Sequence, residues 1–503
     1  MRTACVLGVD IGTSSCKVCA VDAEGRLAGV ASQSYPIMSL KPGWSEQDPR
    51  EWVPALEGAL KAVGEKIPIH RPDVGGLAVS SAAHIAVLMD KAHEPVRESI
   101  LWNDQRSDAE AARLAAESGL LIFQCTRNQA SPTWTLPQLL WVKRHEPDVW
   151  KRVRSVCLSK DYVIGRLTGR FCTDPATAVS SLLYDVDAEH WSDSLCDLLG
   201  IGATSLPEVV PATAIAGNLL PEMAERLGLP TGIPVITGTL DSVSESYCAG
   251  AVRPGDSVLR LGTAGGVQTI LGGPPVHSML ISYPHVMPRL WLSQAGTNAC
   301  GASIQWATQA LGGASGMTLD DLDRLAASAA PGSEGLFFHP YLAGERCPHW
   351  DSRLRGSFVG LSLHHGCEHL ARAVLEGVAY SLKDAFSALQ DGKPQGGTGA
   401  MMTVVGGGVR SAILARIVCD VFGCPIRVAP EVDSAYGAAL LGLVALGWVP
   451  ELAGAAANPL RSASELHPDP ATTRRYAEAF LAYREIHQGL RDFYHSEPGI
   501  SDA

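Results

Sequence analysis

Apolar positions along the chain fall into short runs closed by glycine turns and into longer stretches with three-to-four spacing, a pattern that predicts a mixed α/β protein. Residues 3–12 and 14–22 read as strands flanking a tight turn, and a turn at Ala23-Glu24-Gly25 leads into 26–36, so the chain opens as an antiparallel meander. Helical spacing follows over 49–63, with Asp48 as N-cap and Pro49 at the first helical position, and over 107–117, with strands at 74–81 and 85–90 between them. Residues 232–252 give a buried strand, a small-residue turn and a helix that carries Asp241 at its start. Residues 257–271 then repeat the opening strand–turn–strand: Gly262-Thr263-Ala264-Gly265 echoes Gly12-Thr13-Ser14-Ser15 about half the chain earlier, which predicts a duplicated fold. Helices are expected at 302–311, 369–389, 411–422 and 434–446, and strands running into Gly406 and over 425–430. A terminal helix over 472–494 would place Tyr476, Phe480, Tyr483, Leu490 and Phe493 on one apolar face, as a brace.

At 503 residues the chain suits two domains of roughly 250 each, or three of about 150, and 46% hydrophobic against 18% charged residues exclude disorder and fibrous architecture. The net charge of −12, without a basic block, argues against nucleic acid as a partner, so an anionic ligand must be held by backbone N–H groups at glycine turns and helix starts. Asp10 interrupts the N-terminal apolar run before it reaches signal-sequence length, and the uncharged, strongly apolar run 435–449 is too short for a membrane span and reads as a buried helix. Thirteen scattered cysteines fit reduced thiols in a cytoplasmic protein, with Cys16 and Cys19 as small core residues of a strand rather than metal ligands.

The turn at Gly12, Thr13 and Ser14 has the makings of a phosphate loop: the glycine turns tightly, the small residues leave N–H groups exposed, and Lys17 adds a charge close behind. Asp10, at the strand end, could hold a magnesium ion through water. The matching turn at Gly262 and Thr263 strengthens this, since two phosphate loops facing each other would clamp one nucleoside triphosphate. A third glycine turn, Gly406-Gly407-Gly408, precedes a helix. As a dinucleotide fingerprint it would use Asp433 as the ribose acid, but Ser411 stands at the third glycine position and too little chain follows, so an adenosine-binding turn fits better. By residue type alone, Asp241 is equally a helix N-cap and His84 a core histidine.

With these turns goes a spaced signature, Gly356-Ser357-Phe358-Val359-Gly360-Leu361 and then His369-Leu370-Ala371-Arg372-Ala373-Val374-Leu375-Glu376, and over nearly its whole length the chain resembles the FGGY carbohydrate kinases of the sugar kinase, Hsp70 and actin superfamily. Residues 43–52, Ala83-His84, Trp102-Asn103-Asp104, Lys160-Asp161-Tyr162 and 341–351 are also similar to that family, most of all to its xylulose-phosphorylating members. Gln138 stands where the family's other signature has lysine, Ala83 where methionine is usual, Ser242 where an amide is usual, and Ser411 where an asparagine is usual.

The resemblance implies an α/β fold of two actin-like, ribonuclease H-like domains with a nucleotide cleft between them: 1–245, mainly sugar-binding, and 246–503, mainly ATP-binding. It implies phosphoryl transfer from MgATP to D-xylulose with Asp241 as general base and Asp10 beside the metal. Ala83, His84, Trp102, Asp104, Asp241 and Ser242 would meet the sugar; Gly12, Thr13, Ser14, Lys17, Gly262, Thr263, Gly301, Gly407, Gly408 and Ser411 would border ATP. The partners are then a small sugar and MgATP, with no nucleic acid and no membrane, and a homodimer left open. Two alternatives stand beside this: a family kinase for gluconate, ribulose or another polyol, and an actin- or Hsp70-like nucleotide-driven binding protein or sugar-responsive regulator.

Overall fold

Strand Cys5–Ile11 is buried along its whole length because both of its faces are covered. The computed structural model describes residues 4–66, 73–275, 280–313, 316–390, 402–429 and 431–496. Side chains alternate along the strand: Leu7, Val9 and Ile11 join a core with Trp52, Leu56 and Leu60 of helix Trp52–Lys66, each large apolar side chain contributing about 1.5–3 kcal/mol. On the other face lies helix Ser434–Ala445, apolar all round. It approaches so closely that a Cβ on Gly8 would fall 1.9 Å from the Ala435 carbonyl oxygen, and one on Gly442 would fall 2.6 Å from Val6. Asp10 shares this second face and ends beside the start of that helix, where the Ser434 hydroxyl donates to Asp10 Oδ2 at 2.8 Å.

Contacts divide the chain into two units: Met1–Val252 with Leu271–Leu292 and Val432–Arg461, and Arg253–Ile270 with Ser293–Glu431 and Ser462–Ala503. The stretch Val432–Arg461, expected with the second half, packs within the first unit because its small-residue helix fits the glycine notch in strand Cys5–Ile11.

In the first unit, Cys5–Ile11 pairs antiparallel with Ser15–Asp22 and parallel with Val74–Ser81. Next comes Pro234–Ile236, parallel, and Ile215–Asn218, antiparallel, at the edge. In the second unit, Ser257–Leu261 pairs antiparallel with Gly265–Leu271 and parallel with Met402–Val405, followed by Ile426–Val428, parallel, and Ser464–Leu466, antiparallel. The two ladders repeat one order of strands and directions, so the internal echo in the sequence marks a repeated unit.

The spaced signature turns out to be structural in the second unit. Arg372 is buried and donates to Glu376 at 2.7 Å, to the carbonyls of Ala326 and Ala329, and to the Tyr476 hydroxyl, which itself donates to Glu376. Every side of that ion pair is hydrogen-bonded, as a buried pair requires. It fastens the terminal helix, Pro470–Ser496, whose buried face is Tyr476, Phe480, Tyr483 and His487. Phe493, expected on that face, is 51% exposed: the helix outruns the surface it packs on, and His487, four residues after Tyr483, takes the inner position. Among the described residues no helix is long and apolar enough to cross a membrane, and the thirteen cysteines are free thiols.

Candidate active site

The first turn is closed by the Gly12 amide donating to the Ser15 carbonyl at 3.0 Å, which leaves Ser14 exposed at the tip. Trp102 reaches it: the indole Nε1 donates to the Thr13 hydroxyl at 2.9 Å, joining a residue expected at the sugar to one expected at phosphate. Lys17 lies one turn of the hairpin back, 3.2 Å from Asp433, and Asp433 caps the helix by accepting from the Tyr436 amide. Burial alone would lower the Lys17 pKa, but Asp433 and then Asp10 outweigh it and hold the ammonium above its ordinary value. Sequence reasoning gave Asp433 only a ribose-binding role in a reading it set aside. Here it shares the Lys17 charge, and only chain proximity across 416 positions could have shown that.

Strand Val74–Ser81 runs beside Asp10, with Ser80 opposite it, and the Ala82 amide donates to the Ile11 carbonyl at 2.9 Å. Ala83 and His84 therefore leave the sheet next to the first turn, at the carboxyl ends of parallel strands, where ligands bind in open α/β sheets. His84 has a left-handed backbone at φ 66°. Its ring Nδ1 faces the Ser180 carbonyl at 2.9 Å and so carries the proton, and Nε2 accepts from the Tyr283 hydroxyl at 2.8 Å. Burial, opposed only by the Ser180 hydrogen bond, lowers the His84 pKa to about 4, so the ring is neutral. Trp134 lies edge-on to it at 4.2 Å.

Asp241 opens helix Asp241–Cys248 directly after Leu240, which bridges to Ser81, so it enters the same corner as His84. Its Oδ1 accepts from the Ser242 amide at 2.6 Å. The Tyr283 hydroxyl, raised well above its ordinary pKa first by burial, is raised further by the charge on Asp241. Asp241, Tyr283 and His84 thus form one group. Tyr283 was missed in the sequence because nothing local marks it.

Asp104 is elsewhere engaged. Fully buried, its Oδ1 accepts from the Arg106 amide and Nε and its Oδ2 from Ser45 and Arg106 Nη2, while the guanidinium lies 3.7 Å over Trp44. Gln138, in the position where a lysine was expected, is 2% exposed and donates to the Leu101 carbonyl at 3.1 Å, holding the loop that presents Trp102.

In the second unit the turn after Ser257–Leu261 rests on the start of helix Gly301–Gly312. The Gly301 amide donates to the Gly262 carbonyl at 2.8 Å and the Ala302 amide to that of Thr263 at 3.0 Å. A Cβ on Gly301 would lie 2.7 Å from the Gly262 oxygen, so the contact requires glycine. Gly406, at φ 91°, and Gly408 press against Leu261, whereas Gly407 has open space in front of its Cα. Gly262, Thr263, Gly301, Gly407 and Gly408 are therefore brought together. Ser411 caps helix Ala412–Phe422, accepting from Leu414 and donating to Asp323 at 2.7 Å. A 3₁₀ turn, Gly407–Arg410, which holds two of the three glycines, stands between Gly406 and the helix, unlike a dinucleotide fingerprint.

Among the described residues no three His, Cys, Asp or Glu side chains gather as a metal cage. Asp10 and Asp433 are hard oxygen donors of the kind that suit magnesium, an ion that takes few carboxylates and otherwise uses phosphate and water.

The profile of the FGGY family of carbohydrate kinases, N-terminal domain, matches residues 5–248, and that of the C-terminal domain matches 258–446. The chain is 32% identical to the xylulose kinase of Lactococcus lactis subsp. lactis (strain IL1403) over 503 residues, covering 99% of both. Crystal structures of a ligand-bound xylulose kinase and of a gluconate kinase, both from Lactobacillus acidophilus, each match with TM-score 0.90 at 27% identity, over 98% of this chain and 99% of theirs. The fold is thus the two-domain actin-like α/β architecture of the sugar kinases.

Proposed function

We propose that this chain, which belongs to the FGGY family of carbohydrate kinases and so is an ATP-dependent carbohydrate kinase, phosphorylates the 5-hydroxyl of D-xylulose to give D-xylulose 5-phosphate. One observation carries the mechanism: Asp241 stands at the carboxyl end of the parallel strands, in one group with Tyr283 and His84. A sugar hydroxyl is a weak nucleophile until its proton can leave, and in phosphoryl transfer the proton leaves late, so an ordinary ionised aspartate in hydrogen-bond reach serves as general base. The sugar is assigned to Ala83, His84, Trp102, Asp241 and Ser242, with Asp104 shaping the Trp102 loop from behind. The phosphates are assigned to Gly12, Thr13, Ser14 and Lys17 of the first unit and to Gly262, Thr263, Gly301, Gly407 and Gly408 of the second, with Ser411 bordering the nucleotide. Asp10 is the residue that would hold Mg2+, through water, and bound magnesium would neutralise charge on the transferring phosphoryl group.

The charge of the sugar corner separates the sugars. His84 is neutral, Asp241 is acidic, and the nearby Arg106 is bonded to Asp104 and Glu46, so a substrate carboxylate would find no free cation among these groups. That favours a neutral ketose over gluconate. Gluconate is the second reading because the gluconate kinase structure matches as well as the xylulose kinase structure. Coupled ADP release across D-xylulose, D-ribulose, gluconate and glycerol tests the choice, with D-xylulose expected to lead in kcat/KM. Gluconate ahead by tenfold, about 1.4 kcal/mol of transition-state preference, would overturn it.

A further inference from the structure

Lys160 and Asp174 are almost completely buried, and neither has a part in the chemistry described above. We propose that this pair is a positioning device, one carboxylate that fixes both the Asp241 backbone and the His84 ring. The inference rests on the assignment of Asp241 as base.

Lys160, in the first turn of helix Ser159–Thr168, lies 2.9 Å from Asp161 and 3.2 Å from Asp174. Burial alone would lower its pKa, but the two carboxylates reverse this and keep the ammonium charged. A buried ion pair is weak evidence for stability, since desolvation offsets most of the attraction. Its connections are more informative.

Asp174 Oδ2 accepts from two directions. The Thr239 hydroxyl donates to it at 2.7 Å, and Thr239 stands two residues before Asp241. The Ala176 amide donates to it at 3.2 Å as Asp174 caps helix Pro175–Val179. That helix ends at Ser180, whose carbonyl orients His84 Nδ1 and whose hydroxyl accepts from the His84 amide. A third tie comes from the residue beside Lys160: the Ser159 hydroxyl meets Ser81 at 2.8 Å and the Ala82 carbonyl at 3.1 Å, just ahead of Ala83 and His84. The ammonium fixes the Asp174 carboxylate, and the carboxylate fixes the two segments that carry the base and the histidine. Because a misplacement of about 1 Å can cost on the order of a hundredfold in rate, such a device would act on turnover.

Thr239→Val tests it, because valine keeps the shape, removes the hydroxyl and leaves Lys160 and Asp174 paired. We expect kcat to fall about tenfold or more with sugar KM changed much less, an unchanged melting temperature within a few degrees, and recovery of kcat in Thr239→Ser. Asp174→Asn should lower kcat and raise sugar KM together, since it loosens both arms; if that variant fails to fold, the Thr239 pair still decides. In the double variant Thr239→Val/Asp241→Asn, turnover should be no lower than in Asp241→Asn alone, as residues acting through one group are non-additive. Wild-type kcat in Thr239→Val, with Asp241→Asn inactive, would overturn the positioning role alone. An active Asp241→Asn would instead overturn the base assignment on which it rests.

Discussion

A general base in phosphoryl transfer, the role proposed for Asp241, can be an ordinary ionised carboxylate. Asp241 opens a helix, where backbone amides favour a carboxylate, and the Ser242 amide already donates to it. Asp241→Asn keeps the size and one acceptor but cannot take a proton, so turnover should fall by at least about a hundredfold while sugar KM moves little; steady-state kinetics with D-xylulose would check both numbers. Asp10→Asn is expected to lose turnover that excess magnesium partly restores, read as a magnesium titration of the rate. A drop insensitive to magnesium would leave Asp10 as a residue that only shapes the turn with Ser434. Asp10 was legible in the sequence because it sits beside a glycine turn at the end of an apolar run, and Asp241 only through the family resemblance. Asp433 and Tyr283 were not. One meets Lys17 and the other His84 through partners far along the chain, and no local pattern encodes such a meeting.

Hairpins and long helices were the most readable elements, since period-two runs around Gly12 and Gly262 and three-to-four spacing before Leu389 leave little choice of structure. What the pattern lacked was the partner of each face. Helix Ser434–Ala445 is apolar on every side, so its periodicity could not say which sheet it covers; the glycines at 8 and 442 decide that, by allowing close backbone approach. Gly8→Ala should therefore destabilise by more than the roughly 1–3 kcal/mol usual for overpacking, because its new methyl would meet the Ala435 backbone rather than a movable side chain. Denaturant unfolding measures this. Gly301→Ala, which would push on the Gly262 carbonyl, is expected to raise the KM for ATP while sugar KM stays near wild type. The terminal helix shows the opposite error: its spacing was read correctly, but spacing continues past the surface it packs on, so Phe493 is exposed and His487 is buried.

Each unit encloses histidines that burial keeps neutral. His84 and His285 lie in the first, with pKa values lowered to about 4 and about 3, and His339 and His487 in the second, both lowered to about 4. Burial is the first cause at every one. An unfolded chain would protonate these rings near the ordinary value of 6.5, whereas the folded one resists until the lowered value is reached. Between those two values the unfolded state binds more protons, so folding stability is full above 6.5 and falls as pH drops toward 4. For His84 alone the loss from pH 7 to pH 5 is roughly 2 kcal/mol. His84→Asn isolates it, since asparagine tolerates the left-handed backbone at that position and does not titrate. Urea unfolding at pH 7 and pH 5 should show a smaller drop for His84→Asn than for the unsubstituted protein. Equal drops would mean that His84 takes up its proton without opening the corner it shares with Tyr283, and that its neutrality is no part of how the first unit holds together.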